Sequence, residues 1–304
     1  MFSNQHTEEV ELHDLLLKEK DLHLFVKRED QLDPIISGNK FRKLKYNLQA
    51  ALESGHHTIL TFGGAYSNHI HAIAYGGKQF GFKTIGIIRG EPTEPINPTL
   101  KDALAFGMEL RYINREVYRH KSEPDFLANL KNQYGDFFLV PEGGSNVLAV
   151  KGCEELISDI EHDFDFICCA CGTGGTLAGI ICGLRGETKA LGFPVLKGGE
   201  FLKKEISDLA LSYSKKNYSN WRLITDFHFG GYAKFDWGLI SFINDFKAKH
   251  DIPLDPVYTG KMMYGIFDLI KNDFFPPGSR IMAIHTGGLQ GIRGFNERFG
   301  ELIK

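Results

Sequence analysis

From Thr58 onward the hydrophobic positions fall into two kinds of segment. Short β-branched runs, TILTFGG (58–64), KTIGIIRG (83–90), ELRYINR and FFLVPEGG (137–144), have the character of strands. Between them, SNHIHAIAYGGKQFG and NPTLKDALAFGM place apolar residues every three or four positions, as helices do. The rhythm then repeats. FDFICCACGTGG (164–175), ALGFPVL, WRLITDFHF and RIMAIHTGG (280–288) read as strands and their turns. TLAGIICGLRG, LKKEISDLALSYSKK, LISFINDFKAKH, KMMYGIFDLIK and a last short stretch from Leu289 read as helices. This alternation predicts an α/β fold whose mainly parallel sheets are covered on both faces. GGSN at 143–146 is where the chain crosses from the first series to the second. Several strands run into glycine-rich turns, which places those turns at the carboxyl edge of a sheet, where open α/β folds bind ligands.

Composition narrows the picture. A chain of 304 residues can bury a large core, and at this length it divides into two structural units. The hydrophobic fraction of 42% and net charge of −3 leave no basic field to recruit nucleic acid or anionic lipid. The polar, acidic amino terminus lacks the basic and apolar parts of a secretory signal, and no apolar run reaches the ~18 residues of a membrane span. A cytoplasmic protein is expected. The five cysteines, three of them in FICCAC, are odd in number and apolar in setting, which argues against a disulfide framework. Cys168 and Cys171 have CxxC spacing, but no second pair or nearby histidine completes a metal site, so none is expected.

Three turns and one lysine carry the candidate chemistry. In CGTGGTLAG (171–179), Gly172, Thr173, Gly174, Gly175 and Thr176 join an apolar strand to a helix, so that bare backbone N–H groups, hydroxyls and a helix dipole converge on an anion such as phosphate. A turn needing glycine only for its backbone angles would look the same. The dinucleotide pattern is incomplete, because Leu177 holds the place of the third glycine and Glu187 comes too early for a ribose contact. In GGAYSNHIHAIA (63–74), Ser67 is a good N-cap, and Asn68 and His69 add an amide and an imidazole at the same helix start. His71 is assigned to surface or packing. In LDPVYTGKMMYG (254–265), Tyr258 and Thr259 stand at the start of a helix, with Lys261 in solvent. Finally, IISGNKFRK (35–43) puts Lys40 at the join between a turn and a helix, whereas Lys43 and Lys45 are expected to reach water. A lysine desolvated at such a join loses proton affinity and becomes a nucleophile or base. A phosphate cradle with a buried lysine is the minimal equipment for holding pyridoxal phosphate.

SGNKFRKLKYNL, the SNH turn, EGGSN, the Gly/Thr loop, LDPVYTGK and IHTGG occur in an order that resembles the 1-aminocyclopropane-1-carboxylate deaminase and D-cysteine desulfhydrase family of fold-type II pyridoxal phosphate enzymes. The resemblance runs from about residue 20 to 295. It implies two three-layer α/β/α domains, the larger cofactor-binding one from residues 1–39 plus 151–304 and the smaller from 40–150, with the site between them, in a homodimer. It implies that Lys40 carries the cofactor, that Asn68 bonds the ring hydroxyl and that Gly172 to Thr176 hold the phosphate. Ser67, as a nucleophile or a contact to the substrate carboxylate, would sit with Asn68 and His69 beside a small amino-acid substrate, Tyr258 would flank the reacting carbons, Thr259 would stand at the cofactor, and Tyr232 in HFGGYAK would be a second active-site tyrosine. Family members that open the cyclopropane ring carry glutamate after the motif tyrosine. This chain has Thr259, which favours β-elimination from D-cysteine to pyruvate, ammonia and hydrogen sulfide, with cyclopropane deamination, dehydration and racemisation as alternatives. A non-catalytic phosphate- or amino-acid-binding protein on the same scaffold is the reading from a different class. The segment 185–225 and HTGGLQG depart from the family pattern.

Overall fold

A computed structural model describes residues 6–304; the first five residues of the polar amino terminus lie outside it. The chain begins β1 (Glu9–Leu12), α1 (Leu15–Glu19), β2 (His23–Lys27), α2 (Asn39–Glu53). It continues β3 (Thr58–Gly64), α3 (Asn68–Phe80), β4 (Lys83–Arg89), α4 (Pro98–Ala105), β5 (Glu109–Ile113), α5 (Arg115–Tyr118), α6 (Pro124–Tyr134), β6 (Phe138–Val140). After α7 (Val147–Ser158) come β7 (Phe166–Cys171), α8 (Gly175–Leu184), β8 (Lys189–Pro194), α9 (Leu202–Ser214) and β9 (Trp221–Leu223). The chain closes with α10 (Trp237–His250), α11 (Thr259–Lys271), β10 (Arg280–Ile284) and α12 (Gly291–Phe299).

The strands form two sheets, one of order β1-β2-β10-β7-β8-β9 and one of order β5-β4-β3-β6. Every pairing is parallel except β1 with β2. Each sheet buries both faces. Along β7, Phe166, Cys168 and Ala170 enter one apolar cluster while Ile167, Cys169 and Cys171 enter another. In β3, Ile59 and Leu60 likewise go to opposite sides. Sheets buried on both faces read as continuous apolar runs, which is why these strands were conspicuous in the sequence. The alternation also settles the cysteine pair: Cys168 and Cys171 project from opposite faces, so their CxxC spacing brings no thiols together. All five cysteines are buried and free.

Between the sheets lies α2, packed on α7 and on α3. The end of the chain adds a second tie: Arg293 of α12 pairs with Asp102 and donates to the Pro98 carbonyl of α4 at 3.1 Å. No helix among the described residues is long and apolar enough to cross a membrane.

Candidate active site

The first turn of α2 is set by a glycine that nothing else could replace. Gly38 has φ 63° and ψ −141°, and a Cβ there would stand 2.0 Å from the Thr286 carbonyl oxygen. This close approach lets Asn39 N–H donate to the same oxygen at 3.2 Å, anchoring the helix start on the segment that follows β10. Lys40 comes next. Its Nζ donates to Asn39 Oδ1 at 3.1 Å, and it lines a small cavity with Asn39, Asn68, Thr286, Gly288 and Gln290. Burial lowers the Lys40 ammonium to about 7, and the neighbouring Lys43 charge pushes the same way. Near neutrality it is therefore a substantially free amine.

Asn39 also reaches across to the glycine loop, its Nδ2 donating to Thr176 Oγ1 at 2.8 Å. There β7 ends and α8 begins on Gly174, which has φ 74° and offers no side-chain cap. The first N–H groups of α8 are thus open donors at the positive end of a dipole. Around them stand Thr173, whose hydroxyl meets Ser145 Oγ at 2.5 Å, and Lys43, whose Nζ donates to Gly143 O and Ser145 Oγ at 3.0 Å each. A Cβ on Gly175 would fall 2.7 Å from Ser145 Oγ and 3.1 Å from Lys43 Nζ, so bare backbone is what fits there. Lys43 is 2% exposed, against the expectation that it reaches water. It lies one helical turn from Lys40, on the same face of α2, and that face is covered by the 143–145 turn. Lys45 is largely covered too, paired with Glu155 at 2.7 Å.

Ser67 caps α3 and accepts from Ile70 N–H at 3.3 Å. Asn68 faces the cavity, its Oδ1 taking a hydrogen bond from Gln290 Nε2 at 2.7 Å and its Nδ2 lying against Gly288. The His69 imidazole turns the other way. It is 2% exposed and bonds Thr61 Oγ1 at 2.7 Å through Nε2, while Thr61 donates its proton to the Val140 carbonyl at 2.8 Å. Thr61 can only accept from the ring, so Nε2 bears the hydrogen and Nδ1 is a bare acceptor beside Gly144. Burial holds His69 well below its ordinary value, with Lys40 and Lys43 adding to the effect, so it is neutral. His71 is packed as expected, with Nε2 3.3 Å from Asp102.

On the other wall, the rings of Tyr232 and Tyr258 meet edge to face at 6.1 Å. A Cβ on Gly172 would touch Tyr258 Cε1 at 3.1 Å, which places that ring over the glycine loop. Burial, reinforced by Tyr232, lifts the Tyr258 phenol well above its usual value, so it is a proton donor at any ordinary pH. Thr259 is fully buried. Its hydroxyl accepts from Asp255 N–H at 2.9 Å and donates to Asp255 Oδ1 at 2.8 Å, and the Asp255 carboxylate also takes the N–H groups of residues 257–259. Lys261 corrects another expectation, since it is 1% exposed rather than solvated. It donates to the carbonyls of His228 and Gly231 at 2.9 and 2.8 Å, and so fixes the turn leading into Tyr232.

Residues 4–287 match the family model described as pyridoxal-phosphate dependent enzyme. The chain belongs to that family. A Pyrococcus furiosus protein provisionally assigned as a 1-aminocyclopropane-1-carboxylate deaminase is 32% identical over 90% of this chain and 87% of its own length. The mitochondrial bifunctional D-cysteine desulfhydrase/1-aminocyclopropane-1-carboxylate deaminase of Arabidopsis thaliana is 30% identical over 88% of this chain and 73% of its own. The crystal structure of an ACC deaminase homologue superposes with a TM-score of 0.86 at 29% identity, covering 99% of this chain and 94% of that one. The fold is that of the fold-type II pyridoxal phosphate enzymes.

The residues present suit this cofactor. A free amine at Lys40 can bind its aldehyde, Asn68 has an amide for the ring hydroxyl, and the uncapped start of α8 with Thr173, Thr176, Ser145 and Lys43 offers donors for a dianionic phosphate. Lys43 and Ser145 were not among the residues singled out from sequence. The Lys40-to-Lys43 spacing was the signal for the first, and the EGGSN motif for the second.

Proposed function

We propose that this chain is a pyridoxal phosphate-dependent lyase that eliminates the β-substituent of small amino acids, D-cysteine foremost, yielding pyruvate, ammonia and hydrogen sulfide. The observation that carries the choice of substrate is Thr259. Its hydroxyl is engaged twice by Asp255, and Asp255 is itself occupied in capping α11, so position 259 brings no carboxylate to the ring nitrogen. Without that carboxylate the electron demand on the substrate is milder, which suffices to expel a good leaving group such as hydrosulfide but is poorly suited to breaking a carbon–carbon bond.

When bound, pyridoxal phosphate supplies an electron sink for negative charge at the substrate's α-carbon. Lys40 Nζ, deprotonated near neutrality, would take the α proton. The start of α3 gives the substrate carboxylate its anchor, Ser67 by its hydroxyl and the helix by its free N–H groups. Tyr258 and Tyr232 close over the reacting carbons, exclude water and offer a proton to the departing sulfur. His69 supports the arrangement from beneath, its neutral ring keeping a further positive charge away from Lys40. The proposed division of the chain into 1–39 plus 151–304 and 40–150 is supported by the partition of the strands between two sheets, and a cytoplasmic homodimer is proposed from the resemblance alone.

Cyclopropane ring opening is the second reading, favoured by the names of the Pyrococcus and Arabidopsis relatives. The test is a visible spectrum of the purified protein before and after borohydride, followed by assays with D-cysteine, L-cysteine and 1-aminocyclopropane-1-carboxylate. Sulfide and pyruvate from D-cysteine are expected. Ammonia from the cyclopropane acid with no sulfide from either cysteine would move the assignment to the second reading.

A further inference from the structure

Strands β3 and β4 run parallel in register, with Gly64 opposite Arg89 at their carboxyl ends. Arg89 Nη2 stands 3.6 Å from where a Cβ on Gly64 would lie, and the Gly64 carbonyl accepts from Ser67 N–H at 3.1 Å. The guanidinium therefore rests on the backbone of the loop that carries Ser67. On its other side, Arg89 Cζ lies 5.6 Å from the centre of the Tyr118 ring, and Tyr118 is buried. A cation–π contact of this kind restrains a guanidinium and leaves its N–H groups free to meet an oxyanion. Arg89 is exposed, and among the described residues it enters no ion pair. The Arg89 charge also works against the rise that burial and Asp255 impose on the Tyr232 phenol. Glu142 is felt there too, but Lys121 holds it at 3.2 Å.

We infer that Arg89 is a specificity residue that receives a negative charge on the β-substituent, so that amino acids whose leaving group is an oxyanion, such as a sulfonate or a phosphate ester, are substrates alongside D-cysteine. This rests on the β-elimination proposed above and extends it to a second substrate class. In the reaction the Cα–H and Cβ–X bonds break, and the proton goes to Lys40. The Cβ–X electron pair leaves with X as sulfite or phosphate, and added water releases pyruvate and ammonia from the three-carbon remainder. Arg89 meets the charge already present on X and the charge that grows as X departs.

The experiment compares kcat/KM of the holoenzyme and of its Arg89→Gln and Arg89→Lys variants for both enantiomers of 3-sulfoalanine and O-phosphoserine against β-chloroalanine, whose substituent is neutral. Arg89→Gln should lower the ratio of anionic to neutral substrate by roughly 10- to 100-fold, the range expected for a lost charge-assisted hydrogen bond, and Arg89→Lys should lower it less. Added salt should depress the wild-type rate with the anionic substrate and flatten in Arg89→Gln. β-Chloroalanine turnover with a ratio that Arg89→Gln leaves in place would sink the inference and spare the proposed function. So would a wild type that processes β-chloroalanine and neither anionic amino acid. Turnover of none of these and of no cysteine would overturn both.

Discussion

Lys40 and Lys261 occupy nearly the same place in their helices, near the first turns of α2 and α11, and both are drawn out of water. Burial lowers the first to about 7 and the second to about 8. By that measure alone they are near twins. Their partners separate them. Lys261 ends on two backbone carbonyls that cannot move, and its proton is fully used in holding a turn. Lys40 ends on one flexible amide oxygen at the edge of a cavity, leaving its nitrogen lone pair available. Depressed proton affinity thus marks desolvation in both cases, and the vacancy around the nitrogen is what distinguishes a reactive lysine from a structural one.

The largest effect that would break this contrast is at Lys40. Lys40→Ala should reduce turnover by at least about 10³-fold while the protein still folds and binds pyridoxal phosphate reversibly, checked by steady-state assay and by the loss of borohydride trapping. Next is Lys43, which the contrast assigns to the cofactor rather than to chemistry. Lys43→Met should weaken pyridoxal phosphate binding by roughly 10- to 100-fold, measured by fluorescence titration of the apo protein, because one charged donor to the phosphate is lost. A third test uses acidity. The sign follows from the amine form being the reactive one: cofactor uptake by the apo protein should rise with pH and level off above Lys40's value of about 7, whereas an ordinary lysine would keep gaining up to about pH 10. A rate still climbing tenfold per pH unit at pH 9 would remove the basis for calling Lys40 poised. The smallest effect is expected at Lys261, where Lys261→Met leaves two carbonyls unpaired and should cost about 1–3 kcal/mol of unfolding free energy, read by urea titration. Activity should fall less there than at Lys43 or Lys40.

What was legible in the sequence was local. The β3-to-β6 and β7-to-β10 series announced themselves because strands buried on both faces are continuous apolar runs and the helices between them keep their own period. The glycine loop and Lys40 were legible for a similar reason, since each is a few residues at a join between elements. β1 and β2 escaped notice: Glu9 and Glu11 interrupt the first, and the second is short and finds its parallel partner in β10 at the far end of the chain. The misplacements of Lys43 and Lys261 share one cause. A lysine is normally solvated, and these two are buried by backbone brought from elsewhere, Gly143 in one case and His228 with Gly231 in the other. His69 was expected beside the substrate, but its side chain is directed away from the cavity by Thr61, a strand residue whose face depends on pairing with β6.

The contact of Gly38 with Thr286 has a consequence for the order in which the protein is made. Lys40 leaves the ribosome long before Thr286, yet the surface against which its helix starts belongs to the turn that follows β10. Until that turn docks, the Asn39 N–H lacks its carbonyl acceptor and the cavity around the lysine lacks the wall that Thr286 and Gly288 supply. Its amine would keep an ordinary affinity for protons during most of synthesis. The low proton affinity that suits the lysine to its cofactor is therefore a property of the assembled fold and not of its own helix.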